Sequence, residues 1–219
     1  EIVEGGITSP KGFTASGISC GLKKNNLQDL ALVMSTKLCN SAGVYTQNIV
    51  KGAPLLVTKS HLENKKAQAI IVNSGNANTC TGEDGINHAK EMCKCIGKEL
   101  QIEEDNVLVA STGIIGVKLN IDAIKESIPS LVKKLNKNGG KDAARAIITT
   151  DTFKKTLAVK LELGGKAVVI GAMAKGSGMI HPNMATMLSF ITTDVNINAN
   201  LLDKALKESV KVSYNRISV

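Results

Sequence analysis

Tryptophan is absent from this chain, and aromatic residues make up 2% of its 219 positions. Phe13, Phe153, Phe190, Tyr45 and Tyr214 are scattered, so a core must rest on Val, Ile, Leu, Ala and Met. The same shortage excludes a surface that grips single-stranded nucleic acid by stacking on its bases. A formal charge of +8, with lysine pairs at Lys23-Lys24, Lys65-Lys66, Lys133-Lys134 and Lys154-Lys155, therefore reads as a solvated lysine surface. No nucleic-acid partner is expected, although part of that positive field can draw in a small dianion. No apolar run reaches the length of a membrane-spanning helix, so no membrane partner is expected either. The five cysteines, Cys20, Cys39, Cys80, Cys93 and Cys95, are odd in number and contain no Cys-x-x-Cys pair. That fits neither a disulfide framework nor a zinc site and points to a reducing compartment, the cytoplasm, with no bound metal. The absence of His-Glu-x-x-His, Gly-x-Ser-x-Gly and Gly-x-x-x-x-Gly-Lys excludes a zinc hydrolase, an α/β-hydrolase triad and a P-loop.

What is present alternates between strand and helix patterns. Leu30–Ser35, Pro54–Thr58, Ala69–Val72, Asn106–Ala110, Leu157–Leu163 and Ala167–Ala172 read as strands. Glu83–Leu100 carries Ile86, Ala89, Cys93, Ile96 and Leu100 at helical spacing, with acids in its first turn and Lys98 in its last. Asp122–Asn136 is a second helix, kinked or split by Pro129, and Asp142–Ile148 and Leu201–Val212 complete the set. Gly164-Gly165 between two strand patterns signals a tight hairpin. Mixed strands and helices of this kind imply layered α/β packing. Lys137–Gly140 is the best candidate boundary, yet four residues is an ordinary connection. The chain begins at Glu1 without an initiator methionine and ends inside a run, Ser213–Val219, that reads as a strand, so both ends are expected to be cut.

The most informative stretch is Ala174–Leu188, Ala-Lys-Gly-Ser-Gly-Met-Ile-His-Pro-Asn-Met-Ala-Thr-Met-Leu. Thr186 follows the small Ala185 and precedes a hydrophobic run, so its hydroxyl is free to attack the Ala185 carbonyl. An N-to-O acyl shift followed by hydrolysis would leave Thr186 with a free α-amine. Such an amine has a reference pKa of about 7.7–8.0 and can act as base for its own hydroxyl. An Ala-Thr pair is by itself ordinarily structural. Here it stands in order with three other motifs: Val72–Asn78 (Val-Asn-Ser-Gly-Asn-Ala-Asn) with Cys80-Thr-Gly, Ala110–Gly116 (Ala-Ser-Thr-Gly-Ile-Ile-Gly), and Thr149–Phe153 (Thr-Thr-Asp-Thr-Phe).

These four motifs together resemble the ornithine acetyltransferase family, the bifunctional glutamate N-acetyltransferases of arginine biosynthesis. The resemblance runs from Pro10 to Ile217. It implies a layered α/β (α+β) sandwich similar in layering to the N-terminal-nucleophile hydrolases but differently connected. It implies cleavage between Ala185 and Thr186, giving an α-chain part at 1–185 and the start of a β-chain at 186–219 whose remainder is missing. Thr186 would be the nucleophile, Thr112 and Gly113 the oxyanion hole, and Thr149, Lys175 and Thr186 the substrate contacts. The implied reaction moves an acetyl group from N-acetylornithine to glutamate through an acetyl-threonine, with no cofactor and with acetyl-CoA as an alternative donor. The implied partner is the protein's own C-terminal β-chain, in a heterotetramer of two α and two β chains. Two other readings remain open on the residues alone: a self-cleaving aminopeptidase or amidase using the same threonine, and a non-catalytic basic binding domain. His181, before the motif proline, reads as loop filler, and Asn73, Asn76 and Asn78 as a structural turn or pocket wall.

Overall fold

The computed structural model describes residues 1–184 and 186–219. Its strands are β1 (Ile2–Val3), β2 (Phe13–Ile18), β3 (Leu30–Asn40), β4 (Lys66–Asn76), β5 (Val107–Ile114), β6 (Lys155–Leu163), β7 (Lys166–Lys175) and β8 (Leu188–Thr193). Its helices are α1 (Ala53–His61), α2 (Gly82–Leu100), α3 (Ile121–Lys133), α4 (Gly140–Ala146) and α5 (Ala199–Val212). The strands form two four-stranded sheets, one ordered β1-β6-β7-β8 and the other β2-β3-β4-β5. All pairs are antiparallel except β4–β5, whose parallel pairing requires the crossover that α2 supplies.

The two cores follow from which faces are apolar. Helices α1, α2 and α3 cover one face of the second sheet, burying Leu32, Ile71, Met92, Ile96, Ile124 and Leu131. Full burial of each such side chain is worth about 1.5–3 kcal/mol. Between the sheets lies a second core of smaller residues, Ala15, Ala31, Val33 and Val72 from one sheet and Met173 from the other. Short α4 contributes Ala143, Ala144, Ala146 and Ile147 to it, and packs chiefly on β2 and β3 while touching β6 and β7. An aromatic-poor sequence meets this geometry directly, because a thin inter-sheet layer sharing its space with a helix needs small side chains.

Several sequence expectations hold and others are corrected. Glu83–Leu100 falls within α2, and Gly164 and Gly165, both at positive φ, turn β6 into β7. Pro54–Thr58 is not a strand: it lies in α1, where Pro54 occupies the first helical turn and its missing N–H costs nothing. A four-residue apolar run does not by itself separate strand from helix. Pro129 does not split its helix, since α3 runs unbroken through it. Pro129 and Lys125 are both exposed, so water can satisfy the Lys125 carbonyl that the proline leaves unpaired. Ser213–Val219 is not a strand either, but a turn at Tyr214–Arg216 followed by extended chain. Beside the Lys137–Gly140 loop, Ala15 and Asn136 exchange two backbone hydrogen bonds of 3.1 Å. No helix among the described residues is long and apolar enough to cross a membrane.

Candidate functional site

Lys175 is the last residue of β7 and pairs across the ladder with Leu188, the first residue of β8. The loop between them therefore closes on the end of the sheet, and Thr186 stands two residues before that closing pair. Thr186 is exposed and adopts φ +49°. A β-branched residue in the left-handed region is a true outlier, because its branched side chain crowds the following carbonyl. Met179, Asn183 and Met184 in the same loop also have positive φ, of +54°, +67° and +66°. Residues held this way cost about 1–3 kcal/mol each and persist only where their surroundings hold them. Ala185 lies outside the described residues.

The loop is tied down on several sides. Ile180 and Val219 exchange backbone hydrogen bonds of 3.1 and 2.9 Å, and Asn183 donates its N–H to the Asn215 side-chain oxygen at 3.0 Å. Gly176 N–H donates to the Asp151 carboxylate at 2.8 Å, and the Thr150 and Ser177 hydroxyls meet at 2.7 Å. Thus the tail after α5 holds the loop's distal part, and the Thr149–Asp151 segment holds its start.

Lys175 is buried, with 5% of its surface exposed. Burial pushes its ammonium below the ordinary lysine value, Asp151 opposes that shift and Lys155 adds to it. Thr149, half-buried, follows α4 and its cap Ile147, and its N–H makes a long 3.4 Å hydrogen bond to Asp151. Thr149, Lys175 and Thr186 thus gather around one end of the β1-β6-β7-β8 sheet.

Thr112 and Gly113 stand in the other sheet. They are not in a turn after a strand but within the last residues of β5, where the register with β4 breaks: Gly75 pairs with Gly113, while Asn76 pairs with both Thr112 and Ile114. Such irregularities leave backbone groups unpaired and re-aim them. Gly113 has φ +136°, and a Cβ there would lie 2.3 Å from the Gly75 carbonyl carbon and 2.5 Å from the Asn76 nitrogen. Only glycine satisfies both the dihedral and the space. Thr112 is 8% exposed, whereas Gly113 is open to solvent.

The two groups are linked by Lys23, which sequence reasoning left as half of a surface pair. Its Nζ donates to the Ile148 carbonyl at 2.7 Å and the Gln28 carbonyl at 2.9 Å, and its Cγ lies 3.2 Å from where a Cβ on Gly75 would stand. Burial lowers its ammonium, Asp29 opposes, and Lys175 lowers it further, which sets Lys23 in the field of Lys175. A lysine in a Lys-Lys pair carries no sequence signal of such a role. Asp29 holds the same loop, accepting the N–H groups of Cys20 and Lys23 at 2.6 and 2.8 Å.

The asparagine segment serves the loop itself. Asn73 donates to the Asn76 carbonyl and accepts from Ser111, Asn76 accepts from the Asn78 N–H and donates to the Val117 carbonyl, and Asn78 donates to the Gly85 carbonyl and accepts from Thr81. His181 lies on the loop between β7 and β8, its Nδ1 3.5 Å from the Ser218 hydroxyl. Two clefts, one beside His61 and Asp105 and one beside Gln28 and Asp142, include none of the predicted site residues.

Comparison with known proteins bears on the family and the fold. The family model described as the ArgJ family matches residues 14–219. The arginine biosynthesis bifunctional protein ArgJ of Caldanaerobacter subterraneus is 51% identical over 219 residues, covering all of this chain and 54% of that protein. The chain spans about half the length of the curated relatives it matches. The crystal structure of the Bacillus halodurans protein of the same name is 43% identical, with TM-score 0.80 over 84% of this chain and 97% of that one. The Mycobacterium tuberculosis ornithine acetyltransferase, solved with ornithine, is 34% identical with TM-score 0.78 over 86% of this chain and 99% of that one. An aminopeptidase and esterase/amidase of Ochrobactrum anthropi, described as a variant of the Ntn-hydrolase fold, shares the fold alone at 13% identity and TM-score 0.56, over 96% of this chain and 69% of that one. The layered α/β sandwich expected from sequence is the fold observed.

Proposed function

Since this chain belongs to the ArgJ family, we propose that the full-length protein is a self-processing acetyltransferase of arginine biosynthesis that moves an acetyl group from N-acetylornithine to glutamate. The observation that carries this reading is the position of Thr186, exposed, strained and two residues from the end of the sheet that begins its loop at Lys175. The coverage of solved relatives supports cleavage there. The 84% of this chain that accounts for nearly all of the Bacillus halodurans chain is about 184 residues, close to the 185 that precede Thr186.

The chemistry runs in two stages. First, the Thr186 hydroxyl attacks the Ala185 carbonyl and its proton passes to the departing nitrogen as the C–N bond breaks, which frees the Thr186 α-amine; water then hydrolyses the resulting ester to an Ala185 carboxylate and the restored Thr186 hydroxyl. Second, that amine takes the hydroxyl proton while the oxygen attacks the acetyl carbonyl of N-acetylornithine. The Thr112 and Gly113 groups receive the oxyanion, a term worth about 2.7–4 kcal/mol per donor in comparable sites. Collapse expels the ornithine amine, which takes the proton back and leaves an acetyl ester on Thr186. The glutamate α-amine then attacks this ester, the bond to the Thr186 oxygen breaks, the proton lost by that amine passes through the Thr186 α-amine to restore the hydroxyl, and N-acetylglutamate departs. Nothing is oxidised or reduced, so no cofactor is needed. Thr149 and Lys175 contact the substrate, and the segment beyond residue 219 completes the pocket as the β-chain. Two α and two β chains form the assembly, which works in the cytoplasm without nucleic acid or membrane.

The test supplies processed full-length protein with N-acetylornithine and glutamate. Formation of N-acetylglutamate with parallel double-reciprocal lines supports the reading. Release of free acetate regardless of glutamate would make the protein an amidase instead, and no turnover with an uncut chain would return it to a basic binding domain.

A pH dependence follows from Lys175. Its folded value lies below the ordinary 10.5, so between the two the folded state binds fewer protons than the unfolded state and stability rises with pH. Substrate binding runs the other way, because a carboxylate is held by the charged form. KM is therefore expected to rise as pH climbs through a value below the usual lysine range. A KM that stays flat up to pH 10.5 contradicts the assignment.

A further inference from the structure

The buried acid Asp151 touches the Thr149 segment, the start of the Thr186 loop and Lys155. The Asp151 side chain is wholly buried. Its Oδ1 accepts a hydrogen bond from Lys155 Nζ at 2.5 Å and from the Gly176 N–H at 2.8 Å, and its Oδ2 accepts from the Thr149 N–H at 3.4 Å. Thr149 follows α4, whereas Gly176 directly follows Lys175 and begins the loop that carries Thr186. Asp151 therefore sits at the joint between the two segments proposed to contact substrate, and the Thr150–Ser177 hydroxyl contact at 2.7 Å closes the same joint from the solvent side. Burial by itself would raise the Asp151 carboxyl, but the bonds from Lys155, Gly176 and Thr149 outweigh it and hold it below the ordinary carboxylate value.

We propose that Asp151 is a positioning residue for acetyl transfer, locking the Thr149 segment onto the Lys175–Gly176 corner and supplying a negative charge that balances the Lys175 ammonium. The inference rests on the reading of Thr149 and Lys175 as substrate contacts. Among the described residues, Asp151 and Lys155 from the segment that leads into β6 bear on Lys175, and Lys175 in turn bears on Lys23 in the loop between β2 and β3. Lys155 and Lys23 are cations. Removing the carboxylate leaves Lys175 buried among like charges, and removing Lys155 leaves it with a stronger hold on its proton.

These two removals have opposite signs, which separates positioning by charge from mere loss of packing. Asp151→Asn keeps the shape and an oxygen for Gly176 but not the charge. The alkaline limb of substrate binding is expected to move to lower pH, so that at a fixed alkaline pH the KM rises about tenfold, the effect of losing one adjacent opposite charge. Because the lost contact acts on binding, kcat should change less than KM. Lys155→Met removes a cation, and the limb is expected to move to higher pH. The experiment measures kcat and KM against pH for the processed full-length protein and both variants. Opposite displacements support the inference, whereas unmoved limbs, or both moving the same way, overturn it. If Asp151→Asn fails to fold, the direction of the Lys155→Met limb decides alone. An inactive parent protein would count against the acetyltransferase reading itself, which keeps the two failures apart.

Discussion

Thr186→Ala is expected to leave the full-length protein as a single uncut chain with no measurable acetyl transfer. Both losses come from one oxygen atom. Without the hydroxyl there is no nucleophile for the acyl shift, so the α-amine that would later serve as base is never released. The strained loop remains, since Asp151, Asn215 and Val219 still hold it, and the fold should be intact. Intact-mass measurement on parent and variant reads the first effect and a turnover assay the second. Thr186→Ser keeps the hydroxyl and is expected to cleave and to turn over. It should do so more slowly, because serine lacks the methyl group that fixes the rotamer of a β-branched side chain. Cleavage of the alanine variant at the same bond would remove Thr186 from the account.

Gly113→Ala is expected to lower kcat by roughly 10²–10³-fold, the loss seen when one oxyanion donor is removed. The reason is local and steric. A methyl group at position 113 would stand 2.3 Å from the Gly75 carbonyl carbon on a backbone already at φ +136°, so the ends of β4 and β5 must part and the N–H groups there must turn. KM should move less, because the oxyanion exists only after attack. The position is exposed at a strand end, and the stability cost should stay near the 1–3 kcal/mol typical of overpacking. Ile114→Ala, next along and 63% exposed, provides the control with near-parental turnover. A Gly113→Ala variant with unchanged kcat would exclude this segment from the oxyanion hole.

The sequence made the chemistry legible before the architecture. Neighbouring residues only permitted the Thr186 reading, because self-cleavage is a reaction between adjacent groups, and it was the resemblance carried by four ordered motifs that singled Thr186 out. Helix α2 showed in its heptad-like spacing, and the β6–β7 hairpin in its paired glycines, since both are local devices. Pro54–Thr58 misled because four apolar residues fit a strand and a first helical turn equally well. Strands β2 and β8 went unread for a related reason: Phe-Thr-Ala-Ser-Gly-Ile and Leu-Ser-Phe-Ile-Thr-Thr interleave small or polar residues with apolar ones and become strands through their partners. Which sheet each strand joins is a non-local matter, so the separation of Thr112–Gly113 from Lys175 and Thr186 onto two sheets could not be read. Lys23 and Asp151 were hidden for the same reason. Their role lies in what they touch, the Ile148 carbonyl in one case and the Gly176 N–H in the other, and neither contact leaves a trace in spacing.

The central claim is that Thr186 carries the acetyl group. Processed full-length protein incubated with N-acetylornithine alone, quenched in acid and digested, is expected to yield the peptide beginning at Thr186 with the added mass of one acetyl group. Added glutamate should discharge that mass as N-acetylglutamate. An acetyl group found on another residue, or turnover with the Thr186 peptide never modified, would contradict the account.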